Sequence, residues 1–99
     1  GSASGQADAY FVDGEYSLAV ILEDLPDPNG TDFYEGWIVR KGISFSVIST
    51  GKLVKKNSIY FNEFSSMDDL TDHDSYVLTI EPDDGDPAPA DHVLEGKIN

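Results

Sequence analysis

Asp83, Asp84 and Asp86 crowd a glycine-containing loop behind Glu81-Pro82. Clustered carboxylates on a short loop are the donors that hard cations such as calcium take. Their order is not that of an EF-hand, because the Asp-x-Asp-x-Asp-Gly pattern and its distal Glu are missing. A solvated turn in an acidic chain gathers aspartates without any ion, so these three are weak metal candidates, and calcium is the one cofactor to weigh against none. Asp68, Asp69, Asp72 and Asp74 form a second cluster with less pattern still, and read as loop charge. His73 and His92 lie far apart, each beside acids rather than another nitrogen ligand. A cupredoxin-type copper site needs a Cys, and the chain has none, so Met67 reads as a filler of a core gap. The same absence removes a disulfide scaffold, a thiolate zinc site and a cysteine nucleophile. Serines are plentiful, but no Gly-x-Ser-x-Gly occurs, and neither histidine stands in a recognisable arrangement with a nucleophile. No glycosidase-like carboxylate pair stands out either. The residues read as those of a protein that is not an enzyme.

Charge is distributed unevenly. Arg40, Lys41, Lys52, Lys55 and Lys56 are five of the six basic residues and fall within seventeen positions, while eleven of the nineteen acids lie between Glu63 and Glu95. Lysines on a hairpin edge discourage edge-to-edge pairing and neutralise acidic loops across a sheet. Alternatively the basic hairpin docks an acidic protein or cell-envelope polymer, which makes these five the partner-binding candidates. The net charge of −13 repels a nucleic-acid backbone and an anionic membrane surface. With 39% hydrophobic and 11% aromatic residues, the chain is too apolar for a disordered acidic tail. No apolar run approaches the ~18 residues of a membrane span.

These residues must be held by one small domain, since 99 residues fall within the size of a single core and no period of a repeat protein recurs. Gly1 to Gln6 are small, polar and patternless and read as a cloning scar or linker, leaving 7–99 as the domain. Apolar residues alternate, or run in short β-branched and aromatic stretches broken by Gly, Pro, Asn and Asp. That spacing predicts an all-β fold, an Ig-like antiparallel sandwich of about seven strands. The strands are Ala9–Val12, Tyr16–Leu22, Phe33–Val39, Ile43–Ile48, Ser58–Phe64, Ser75–Glu81 and His92–Gly96. Asp13-Gly14 suits a hairpin turn. In Ile43–Ile48, apolar residues alternate with serine, which predicts one buried and one wet face. The one helical candidate is a turn over Ser66–Leu70 with Ser66 as its cap. Trp37 is the predicted anchor of the core, and Tyr34, Phe45, Tyr60 and Tyr76 read as core and cross-strand packing, a Tyr left on an open face being suited instead to ligand stacking. Gly36 leaves room for a large ring or a close backbone. Asn29-Gly30-Thr31 matches a glycosylation acceptor and equally suits a turn.

The order of residues carries a further signal. Tyr34-Glu35-Gly36-Trp37-Ile38-Val39, followed by Tyr76-Val77-Leu78-Thr79-Ile80-Glu81-Pro82, Gly85, Pro87, Pro89 and Val93-Leu94-Glu95-Gly96, resembles the C-terminal domain of the anti-sigma-K factor family. The resemblance runs from about Ser17 to Gly96, with the Asp-rich loops as the departure from it. It implies an extracytoplasmic β-sandwich, joined through one transmembrane helix to a cytoplasmic segment that holds a sigma factor inactive. On that basis the expected function is a non-catalytic extracytoplasmic sensor or interaction domain with a protein partner, on the periplasmic or cell-surface side. It would belong to a longer exported or membrane-anchored protein and would not itself enter the membrane. The alternative is a secreted or surface-attached adhesion sandwich whose acidic loops load calcium. Oligomeric state is left open.

Overall fold

The structure of the protein, a computed structural model, describes residues 3–83, 85 and 90–99. Those residues form eight strands: β1 (Ser4–Val12), β2 (Glu15–Glu23), β3 (Phe33–Arg40), β4 (Ser46–Lys52), β5 (Val54–Lys56), β6 (Ile59–Ser66), β7 (Ser75–Glu81) and β8 (Asp91–Lys97). They assemble into two antiparallel sheets, ordered β1-β2-β6-β5 and β4-β3-β7-β8. The all-β sandwich expected from the alternation is what the chain forms.

Local chemistry explains the turns. Asp13 and Gly14 take φ of 52° and 78°, and Asn57 and Ser58 take 52° and 72°. Two consecutive positive φ values are the signature of the type I′ turn, whose twist matches that of paired strands. Those turns set β1 against β2 and β5 against β6. Asp32 N–H donates to the Asn29 carbonyl at 3.0 Å, so Asn29-Gly30 serves as a turn.

β2 alternates strictly: Tyr16, Leu18, Val20 and Leu22 are buried and their neighbours exposed. Across the sandwich they meet Ile38, Tyr76 and Leu78. Each methylene removed from water there stabilises the fold by about 0.8 kcal/mol. This apolar layer encloses a polar knot. Thr50 and Tyr76 hydroxyls donate to Asn62 Oδ1 at 2.6 and 2.7 Å, and Asn62 Nδ2 donates to the Thr50 carbonyl at 3.1 Å. The knot ties β6 of one sheet to β4 and β7 of the other, and Gly36 makes room for it, since a Cβ there would overlap Asn62, Tyr76 and Thr50. The space expected beside Gly36 is thus filled by a ring hydroxyl and an amide.

The structure departs from the sequence reading in four places. Ser4, Gly5 and Gln6 are not outside the fold; they pair with Glu23, Leu22 and Ile21 in β1. Strand four begins at Ser46 rather than Ile43 and runs past the expected end at Ile48 through Gly51 (φ 93°). A register shift opposite Gly36-Trp37 accommodates that glycine, and the chain then crosses to the other sheet, where β5 is an additional strand. Ser66–Leu70 is not helical: Ser66 Oγ accepts the Asp68 N–H at 3.1 Å and Asp69 Oδ1 accepts the Thr71 N–H at 3.1 Å. Short side chains satisfying nearby amides compete with helix formation, and Met67 is left 77% exposed instead of filling a core gap.

Candidate functional site

β3 and β7 lie in the middle of their sheet, and both are apolar on two faces. Ile38 and Leu78 point into the sandwich, while Trp37, Val39 and Val77 form a separate cluster on the outer face. Trp37 is buried, as expected of an anchor, but it anchors the outside of the sheet. Its indole N–H donates to Thr79 Oγ1 at 2.9 Å, and the Thr79 hydroxyl donates to Glu81 Oε2 at 2.5 Å. The same carboxylate oxygen accepts the Ala90 N–H at 2.8 Å. A buried carboxylate is tolerated only when its lone pairs are met in this way. Glu81 thereby ties Trp37 to the backbone at the foot of β8, so two residues that carried the family resemblance are joined in space through Thr79.

An open groove of about 630 Å³ lies over this cluster, lined by Trp37, Val39, Phe45, Val47, Val77 and the rim residues Lys41, His92 and Glu95. Phe45 is 65% exposed and Val47 38%. The alternation over Ile43–Ile48 is therefore inverted relative to expectation. Phe45 and Val47 face outward, while Ile48 and Thr50 turn toward the core. At the rim, Lys41 Nζ and Glu95 Oε2 stand 2.5 Å apart. Each holds the other charged: the lysine is pushed above its usual value, and the carboxyl is held below its own.

The five basic candidates do not gather into one patch. Arg40 pairs with Ser46 and Glu35 with Lys52 in the β3–β4 ladder, which separates the two basic ends by about 17 Å of strand. Arg40 bonds the Ser44 carbonyl at 2.6 Å and Asp72 at 2.8 Å. Lys52 lies 4.2 Å over the Phe33 ring, and Lys55 bonds Asp27 at 2.7 Å. That Asp27 carboxylate also accepts the Tyr60 hydroxyl at 2.7 Å. The lysine holds Asp27 low, while burial, aided by the aspartate, pushes Tyr60 up to about 12. Lys52 and Lys56 flank a smaller groove containing Val54 and Phe61 on the other sheet. Of the metal candidates, Asp83 is exposed just past β7, and Asp84 and Asp86 lie outside the described residues.

One arrangement escaped the sequence. His73 is 3% exposed; its Nε2 is 2.8 Å from Ser46 Oγ and its Nδ1 2.9 Å from Asp72 Oδ1. Serine, histidine and aspartate thus stand at triad distances. Their surroundings are unlike those of a hydrolase: Asp72 is 57% exposed and shared with Arg40, which holds it ionised. Neither Ser46 nor His73 lines the groove. The relay fastens the loop before β7 to the start of β4. Only the fold brings position 46 beside 72 and 73, and no local motif announces it.

Comparison with known proteins adds one finding. The family model described as anti-sigma-K factor rskA, C-terminal, matches residues 1–94. No curated protein and no solved structure matches the chain.

Proposed function

Because the chain belongs to the anti-sigma-K factor C-terminal domain family, we propose that it is the non-catalytic, extracytoplasmic sensing or interaction domain of a membrane-anchored anti-sigma factor, acting by protein contact. The contact surface on this reading is the outer face of the β4-β3-β7-β8 sheet. The observation that supports it is the pairing of a buried apolar floor with an exposed apolar wall. Trp37, Val39 and Val77 are buried below, the indole fastened to Thr79, while Phe45 and Val47 stand open beside them and Ile43 is fully exposed. Aromatic and aliphatic side chains around a preformed hollow, with a charged rim, are the usual centre of a protein interface. No helix among the described residues is long and apolar enough to cross a membrane, so on this reading anchor and sigma-binding segment are other parts of the protein.

The experiment is a sigma-dependent reporter in cells carrying the full-length protein. Phe45→Asp is expected to change reporter output at least several-fold while leaving the melting temperature of the domain within a few degrees. Wild-type output with this variant overturns the outer face as the contact surface.

A further inference from the structure

The four sheet edges are treated differently. On β1, Asn99 N–H donates to the Ala7 carbonyl at 2.9 Å and the Ala9 N–H to the Asn99 carbonyl at 3.1 Å, so the chain covers its own edge. β5 is only three residues long and carries Lys55 and Lys56. β8 presents Asp91, His92, Glu95 and Lys97, and is broken by a register shift opposite Leu78-Thr79. Short length, charge and bulges are the devices that stop an edge from accepting another strand. β4 carries its own register shift only beyond Ser49; over Ser46–Ser49 it reads Ser-Val-Ile-Ser, without charge or proline, and its ladder partner is β3 alone. Protection begins only further on, where Asn62 Nδ2 takes the Thr50 carbonyl and Ser49 Oγ takes the Gly51 N–H.

The unguarded edge adjoins the groove, because Val47 belongs to both and Phe45 extends the same side. The geometry points to strand addition: an extended segment of a partner protein pairs with β4 over Val47–Ser49, and its outward apolar side chains lie against Phe45 and Val47. This rests on the contact-domain reading and names its mode. Backbone bonds would hold the segment, and the alternate side chains select it. Charge defines the end of the segment. Lys52 closes the open stretch and lies over Phe33; it is in none of the ion pairs among the described residues, and its ladder neighbour Glu35 accepts the Ser49 hydroxyl instead, so the segment carries an acidic residue there. A second copy fits poorly, since each chain bears −13 and antiparallel self-pairing about Ile48 brings Lys52 of each copy toward the Arg40–Ser44 end of the other.

The test uses this 99-residue chain and a short alternating valine–threonine peptide ending in an aspartate pair. Amide exchange at those N–H groups of Val47–Ser49 that face away from β3 should slow by about tenfold or more with peptide. Val47→Lys should abolish that protection without altering exchange in β2 or β7. The same peptide ending in a lysine pair should bind about tenfold more weakly, the effect of one lost charge contact at a rim. Protection at β8 or β1 instead, equal binding of both peptides, or no protection overturns strand addition. Concentration-dependent dimers removed by Val47→Lys assign the edge to a second copy and overturn it as well. If Phe45→Asp alters the cellular reporter yet β4 gains no protection, the contact face stands and strand addition falls. If β4 is protected but the reporter ignores Phe45→Asp, strand addition stands and the proposed signalling contact falls.

Discussion

Ile38 and Trp37 are neighbours in β3, and they belong to two different hydrophobic clusters. Ile38 lies between the sheets with Leu18, Val20, Leu22 and Leu78, closed in from both sides. Trp37 lies on the outer face with Val39 and Val77, drawn from one sheet alone. The two sites are comparably buried, at 0% and 6% exposure, but the means differ. The inner cluster is covered by a second layer of strands and stitched by the Thr50–Asn62–Tyr76 knot. The outer one depends on the breadth of the indole and on the Trp37–Thr79–Glu81 chain of hydrogen bonds, and its margin of Phe45 and Val47 stays open. Burial by a layer makes a fold, and burial by a single large side chain beside an open groove is what the proposed contact surface rests on.

Replacing the indole breaks this comparison most severely. Trp37→Ala should cost about 3–5 kcal/mol in urea unfolding, as for a buried aromatic truncation; a loss under about 1 kcal/mol would mean that the outer cluster contributes little to the fold. Gly36→Ala tests the inner side. Its methyl overlaps the polar knot, and overpacking combined with a broken buried hydrogen bond should cost about 2–4 kcal/mol. Thr79→Val keeps the shape but strands the indole N–H and removes a donor from Glu81, for about 1–3 kcal/mol; a neutral result would sever the proposed link between Trp37 and the foot of β8.

Alkaline titration separates the regions further, because the buried phenols all belong to the inner side. Burial raises Tyr16, Tyr34 and Tyr76, and Tyr60 reaches about 12. An unfolded tyrosine ionises near 10. The stabilisation from these phenols is therefore complete below about pH 10 and is lost as pH climbs toward 12. Tyrosinate absorbance from the buried phenols should rise together with loss of the β-sheet circular dichroism signal, and ionisation well ahead of unfolding would contradict their burial. The smallest expected effect is at the margin: Phe45→Ala should change stability by less than about 0.5 kcal/mol, which keeps it usable as a probe of contact.

Much of the fold was legible because period-2 alternation and turn residues act locally. Tyr16-Leu18-Val20-Leu22 announces a half-buried strand, and Asp13-Gly14 announces its hairpin. The polar opening Ser4-Gly5-Gln6 carries no such signal, and it enters β1 only because the end of β2 offers it a partner. The candidate site was less legible. Trp37 and Glu81 stood out through the family resemblance, but the run of lysines suggested a patch that strand length pulls apart. In the sequence His73 is a histidine among acids in no recognisable arrangement with a nucleophile, and only the fold sets Ser46 beside it.

Composition and alternation alone determined that this chain is an acidic, all-β domain, with strands where β-branched and aromatic residues cluster and turns where Gly, Asn and Asp permit positive φ. Only the tertiary structure decided which face of each strand is inside. Alternation defines two faces without ranking them, and when both are apolar the choice falls to register and to the sheet that packs above. That choice sends Ile48 inward and Val47 outward, puts Trp37 under an open groove, and leaves β4 as the unguarded edge.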